Sequence, residues 1–112
     1  MENVIEIKSF NFAIRIVNLH KYLCSKDEYT LSNQLLRSGT SIGANVAEAE
    51  QAQSTADFIS KMSIALKETS ETKYWLRLLN KTEYITDTQF TSIFEDCVEL
   101  EKILVSIIKS TK

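Results

Sequence analysis

Residues 35–49 read Leu-Leu-Arg-Ser-Gly-Thr-Ser-Ile-Gly-Ala-Asn-Val-Ala-Glu-Ala, and they hold Gly39 and Gly43, the only two glycines of a 112-residue chain that has no proline. Leu31, Leu35, Ile42, Val46 and Ala49 recur on one face at helical spacing, with Ser38 and Gly39 set among them. Both glycines therefore lie inside a helix, where a missing side chain lets another helix approach closely. That leaves none for turns. An all-β domain needs Gly and Pro at its tight turns, and a phosphate-binding or dinucleotide-binding loop needs a glycine-rich run. The chain reads instead as all-α, with long helices joined by short polar links and enough length for one domain over residues 1–112.

Caps and periodicity place four helices. The first is expected over about residues 5–24, with Asn3 and Ser9 both plausible N-caps. Thr30 is expected to cap a second over about 31–53, and Ser54 with Asp57 to open a third over about 55–80. The fourth, about 87–109, has the clearest start: Thr86 and Gln89 form a capping box, flanked by the hydrophobic staple of Ile85 and Phe90. Short links favour antiparallel neighbours, hence an up-down-up-down four-helix bundle.

Each helix should bury one stripe. Phe10, Ile14, Val17 and Cys24 are expected to supply it in the first helix. The third uses Phe58, Met62, Ala65, Leu66, Thr69 and Leu76, and the fourth Phe90, Phe94, Cys97, Leu104 and Ile108. Apolar residues remain over. The first helix carries a second seam, Phe12, Ile16, Leu19 and Leu23, and the fourth carries Ile93, Leu100, Ile103 and Ile107. Both lie roughly 100–160° from the first stripes on a helical wheel. The third adds Ile64, Trp75 and Leu78. A small monomer exposes little contiguous apolar surface, so these residues are expected at subunit contacts; the alternative is one wide core face. Thr40, Ala44, Ala47 and Gln51 give the second helix a small-residue outer surface suited to another helix.

Catalytic constellations are scarce. The single histidine, His20, lies between the two seams of the first helix and reads as partly buried. No Glu-x-x-His motif, zinc spacing or Cys-x-x-Cys pair occurs. The expectation is a non-enzyme without cofactor or metal. Cys24 and Cys97 read as free thiols. No signal-peptide pattern and no apolar run of membrane-spanning length is present, which points to a cytoplasmic protein that engages no membrane. Glu101 intrudes into the fourth helix's stripe and Lys21 into the first helix's, so they are expected to pair.

Two further polar sets stand out. Arg37, Ser41, Asn45 and Glu48 line one flank of the second helix at spacings of four, four and three; the row is either a network across a helix or subunit contact, or a solvated face. Arg37, Lys61, Lys67, Lys73 and Arg77 are the candidate contacts for RNA or DNA, interleaved with Tyr74 and Trp75. Against them stand a formal net charge of −2 and the acidic Asp57, Glu68 and Glu71.

The ordered combination of residues 36–49 with Ala52-Gln53-Ser54, Ala56-Asp57-Phe58-Ile59, Ile64-Ala65-Leu66-Lys67-Glu68 and Glu71-Thr72-Lys73-Tyr74-Trp75-Leu76 resembles the bacterial four-helix bundle protein family. That family is also named for open reading frames in 23S rRNA intervening sequences. The resemblance spans about Phe10 to Ile108. It implies a left-handed bundle assembled as a ring-shaped homopentamer, with no established catalytic residues. It also implies kinship with the accessory variability determinant proteins of diversity-generating retroelements, which bind nucleic acid through basic outer surfaces and partner with a reverse transcriptase. Those relatives are strongly basic and this chain is not. Many family members have proline where Gly43 stands here, so the second helix should be less kinked.

Overall fold

The computed structural model describes residues 3–111, which form four helices: α1 (Val4–Ser25), α2 (Thr30–Ala49), α3 (Thr55–Lys81) and α4 (Asp87–Thr111). At 1.5 Å per residue they are about 30–40 Å long, and the molecule is 44 Å along its longest axis and 23 and 20 Å across. Helices of that length joined by links of a few residues fold back on one another. Consecutive helices lie side by side, and α4 returns to α1 along the least intimate seam. The result is the expected four-helix bundle.

Local chemistry sets the starts. Asn3 accepts the amide of Ile5 at 3.1 Å, so α1 begins at the earlier of its two candidate caps. Ser54 accepts the amide of Asp57 at 3.1 Å, and the Thr86–Gln89 box forms in both directions at 3.1 and 2.8 Å. Two details differ from expectation. Thr30 is the first residue of α2, and the buried Glu28 carboxylate does the capping by accepting the amide of Ser32 at 2.8 Å. α2 also ends at Ala49, four residues early, because Ser54 adopts an extended conformation to cap α3 and the chain leaves the helix to reach it.

The ends of α1 and α3 share one device. Asp27 and Glu83 sit at φ 63° and 66°, the left-handed region. There the amides of Glu28 and Tyr84 return to the carbonyls of Leu23 and Leu79, both at 2.9 Å. Glycine ordinarily holds such positions because a Cβ is strained there. This chain has spent its glycines elsewhere.

The structure corrects the reading of α1. Phe12 (2% exposed), Ile16 (0%) and Leu23 (0%) are the core, and Leu19 packs against it, whereas Phe10 (67%) and Ile14 (47%) face outward. The two seams exchange roles. The reason lies in α2: a Cβ on Gly39 would come within 2.7–2.8 Å of three Ile16 side-chain atoms, and one on Gly43 within 3.2 Å of the Ser9 carbonyl oxygen. The glycines thus draw in the face bearing Ser9 and Ile16. In α4 the alternative of one wide face holds: Ile93, Cys97, Leu100 and Leu104 are buried, with Phe90, Phe94, Ile103, Ile107 and Ile108 packed around them.

The α2–α3 seam is also built from small groups. Ser38 and Thr72 are fully buried and their hydroxyls meet at 3.0 Å, while Thr69 donates to the Leu66 carbonyl at 2.6 Å. Among the described residues no buried side-chain polar atom lacks a partner.

Two substitutions test these packing arguments. Gly39→Ala should lower unfolding stability by about 1–3 kcal/mol despite alanine's better helix propensity, because Ile16 has no room to move. Glu83→Gly should raise it by about 0.5–1 kcal/mol by relieving the left-handed strain. Urea titration followed by circular dichroism measures both.

Candidate functional site

The outer surface, rather than an interior pocket, carries the candidate site. Val4, Ile7, Phe10 and Ile14 follow the outside of α1 as an exposed apolar ridge. Beside it runs a cleft of about 560 Å³ between α1 and α2, floored by Thr40, Gly43, Ala44 and Ala47 and walled by Ile7, Phe10 and Ala13. The glycine-mediated approach of the two helices makes the floor shallow, and three small side chains keep it open. Thr40, Ala44 and Ala47 were expected at a close-approach surface; of the ridge, Phe10 and Ile14 were expected in the core, and Val4 and Ile7 were assigned to neither face.

The residues expected at subunit contacts divide. Phe12, Ile16, Leu23, Ile93 and Leu100 are buried inside the bundle and have no surface to offer a partner. Leu19, Trp75, Leu78, Ile103 and Ile107 are partly buried, and Ile64 is exposed. The ridge residues that do stand out were missed because the two seams of α1 are equally apolar. The signal lay outside α1, in the glycines facing it.

The polar row on α2 is local rather than a four-residue network. Ser41 donates to the Arg37 carbonyl at 2.6 Å and Asn45 to the Ser41 carbonyl at 2.8 Å. Its two ends reach α3: Arg37 pairs with Glu68 and Glu71, and Glu48 with Lys61 at 3.6 Å. Glu71 also accepts the Trp75 indole N–H at 3.0 Å. Glu101 pairs with Lys73 at 2.8 Å, not with Lys21, which is exposed. The neighbouring helix supplies the nearer cation. Of the five candidate nucleic-acid contacts, Arg37, Lys61 and Lys73 are thus engaged within the bundle. Lys67 and Arg77 are exposed and form no ion pair among the described residues.

His20 joins α1 to α2. Its Nδ1 lies 2.6 Å from the Ser32 hydroxyl and its Nε2 3.6 Å from the Cys24 sulfur. Ser32 is fully buried and Glu28 holds its amide, so this cluster ties down the α1–α2 corner. Among the described residues no group of three or more His, Cys, Asp or Glu is placed to hold a metal ion. None of the described helices is long and apolar enough to cross a membrane.

Residues 1–106 match the family model described as 23S rRNA-intervening sequence protein. The chain belongs to that family. Among solved structures, it is similar to the crystal structure of a protein with unknown function from the S23 ribosomal protein family of Bacteroides thetaiotaomicron VPI-5482. The two are 60% identical, with a TM-score of 0.93, over 94% of this chain and 98% of the other. No curated protein matches. The 23S rRNA-intervening sequence family membership agrees with the motifs between residues 36 and 76, and the relative's near-complete coverage confirms the bundle as the shared architecture.

The two thiols of this family member differ in environment. Cys97 is buried, its sulfur 3.5 Å from the Thr69 carbonyl oxygen, and burial followed by the nearby Glu101 carboxylate pushes its pKa up to about 12 from 9.0. Folding therefore favours the protonated thiol. The resulting stability is fully present below pH 9 and is lost as pH rises from about 9 to 12. A Cys97→Ala variant should show a shallower alkaline loss of stability over that window. In native protein at neutral pH an aromatic disulfide reagent should titrate the half-buried Cys24 and leave Cys97 unmodified until denaturant is added.

Proposed function

We propose that the protein is a non-enzymatic, self-assembling interaction or scaffold module whose subunits meet through the α1–α2 face. The observation that carries this reading is the exposed ridge of Val4, Ile7, Phe10 and Ile14 beside a cleft floored by Thr40, Gly43, Ala44 and Ala47. Exposed apolar side chains at helical spacing cost solubility unless another surface covers them. Ile7 and Phe10 belong to both the ridge and the cleft wall, so the two form one continuous α1–α2 patch, and the contact is head-to-tail where the ridge edge of one patch seats in the cleft of the next subunit. Such contacts close into rings when the rotation permits. A homopentamer is the ring that the family resemblance implies. The polar groups at the α1–α2 corner are occupied with one another.

Light scattering at micromolar concentration should return a multiple of the 12.8 kDa chain mass, about fivefold for the pentamer. Phe10→Glu should dissociate the assembly with helical circular dichroism unchanged, because Phe10 is 67% exposed in the subunit. Phe12→Glu should instead unfold the bundle, since burying an unpaired carboxylate at a core position costs several kcal/mol. A wild-type mass of 12.8 kDa contradicts the proposal.

A further inference from the structure

The outward face of α3 carries a pattern that self-assembly does not use. Ser63, Lys67, Ser70, Tyr74, Arg77 and Lys81 follow one another at spacings of four, three, four, three and four. At about 100° per residue they fall within an arc of roughly 80°. All six are exposed, and no acidic residue interrupts the row. The flanking carboxylates are already occupied: Glu68 and Glu71 by Arg37, and Glu101 by Lys73. Glu68 and Glu71 share the single charge of Arg37, so one negative charge remains beside the row, and the exposed Lys67, Arg77 and Lys81 leave the stripe net positive on a chain that is acidic overall.

The spacing has a chemical reading. Lys67 and Arg77 are ten residues apart, about 15 Å along the helix, and Lys81 lies about 6 Å further on, a distance close to the step between phosphates of an extended strand. Tyr74 lies between the outer cations and remains 57% exposed. Its ring is braced by Trp75, with centroids 5.0 Å apart and planes at 79°, and Trp75 is held through its indole N–H by Glu71 at 3.0 Å. A pre-positioned aromatic ring flanked by cations is the arrangement on which an unstacked base lies while phosphates are neutralised on either side.

We propose that this α3 stripe binds single-stranded nucleic acid, with Lys67, Arg77 and Lys81 on phosphates, Tyr74 stacked on a base, and the Ser63 and Ser70 hydroxyls available to the backbone. A duplex keeps its bases stacked and offers Tyr74 nothing. The stripe replaces the broader set of candidate cations: Arg37, Lys61 and Lys73 are not part of it, and Tyr74 and Lys81 are. It does not depend on the α1–α2 face.

Fluorescence anisotropy of a fluorescein-labelled polyuridine strand, titrated with the full chain at several salt concentrations, tests the proposal. The expected result is binding at low salt with a log–log salt slope of about −2, as three phosphate contacts on a single strand require. Arg77→Glu should weaken it about tenfold or more. Tyr74→Ala should weaken it about tenfold, while Tyr74→Phe keeps wild-type affinity. Lys21→Glu, which reverses an exposed cation on α1, should leave affinity within about twofold apart from the change in net charge. No binding at low salt, tighter binding of duplex RNA than of the single strand, or equal loss in Lys21→Glu and Arg77→Glu overturns the proposal. Binding of a polyglutamate peptide through Lys67 and Arg77 in place of the RNA also overturns it, and reassigns the stripe to an acidic protein. Light scattering reads self-assembly separately, so the two proposals fail independently.

Discussion

The contact of two glycines on α2 with Ile16 and Ser9 on α1 governs the rest of the structure. Gly39 leaves room for an isoleucine side chain that no alanine accommodates without a shift, and Gly43 lets the α1 backbone itself come close. This contact fixes the rotation of α1 about its own axis. That rotation decides which of two apolar seams becomes core and which becomes surface, and so determines the exposed ridge. Interior packing is dense enough that a half-ångström matters, and so the absence of two methyl groups can orient a helix of 22 residues.

Helix positions were legible because their signals are local. The capping signals at Ser54 and Thr86 are written within four residues: the Thr86–Gln89 box forms in both directions, while Ser54 caps the Asp57 amide and the Asp57 carboxylate accepts the Gln53 amide at 3.4 Å. The orientation of α1 was not legible from α1, since Phe10, Ile14, Val17 and Cys24 are as apolar as Phe12, Ile16, Leu19 and Leu23. Only the pairing of Ser9 with Gly43 and of Ile16 with Gly39 separates them, and that pairing depends on the register between two helices. Partner choice among charges was hidden for the same reason. Both α1 and α3 adjoin α4, yet Glu101 found Lys73 on α3 because Lys21 is left exposed by the way α1 is turned. The candidate site followed suit: the small residues Thr40, Ala44 and Ala47 were readable on one helix, and the ridge opposite them was not.

Composition takes on a different meaning in the folded chain. A net charge of −2 gave little reason to look for a cationic surface. Yet several acids are consumed by ion pairs: Asp96 by Arg15, Glu99 by Lys8, Glu68 and Glu71 by Arg37, and Glu101 by Lys73. What matters to a ligand is the charge left over on each face. On α3 that remainder is positive although the molecule as a whole is negative.

The α1–α4 seam differs from the other three in its sequence distance. Pairs α1–α2, α2–α3 and α3–α4 are neighbours joined by short links, so each can form as a local hairpin with little loop-closure entropy. α4 meets α1 only across the length of the chain, and it does so along the least intimate seam, pinned by Lys8–Glu99 at 3.2 Å and by Arg15 to Asp96 at 2.6 Å. Chains dominated by local contacts fold quickly. This topology keeps three of the four seams local and leaves the seam between the first and last helices, tied by exposed ion pairs, as the one that closes across the whole chain and that salt weakens.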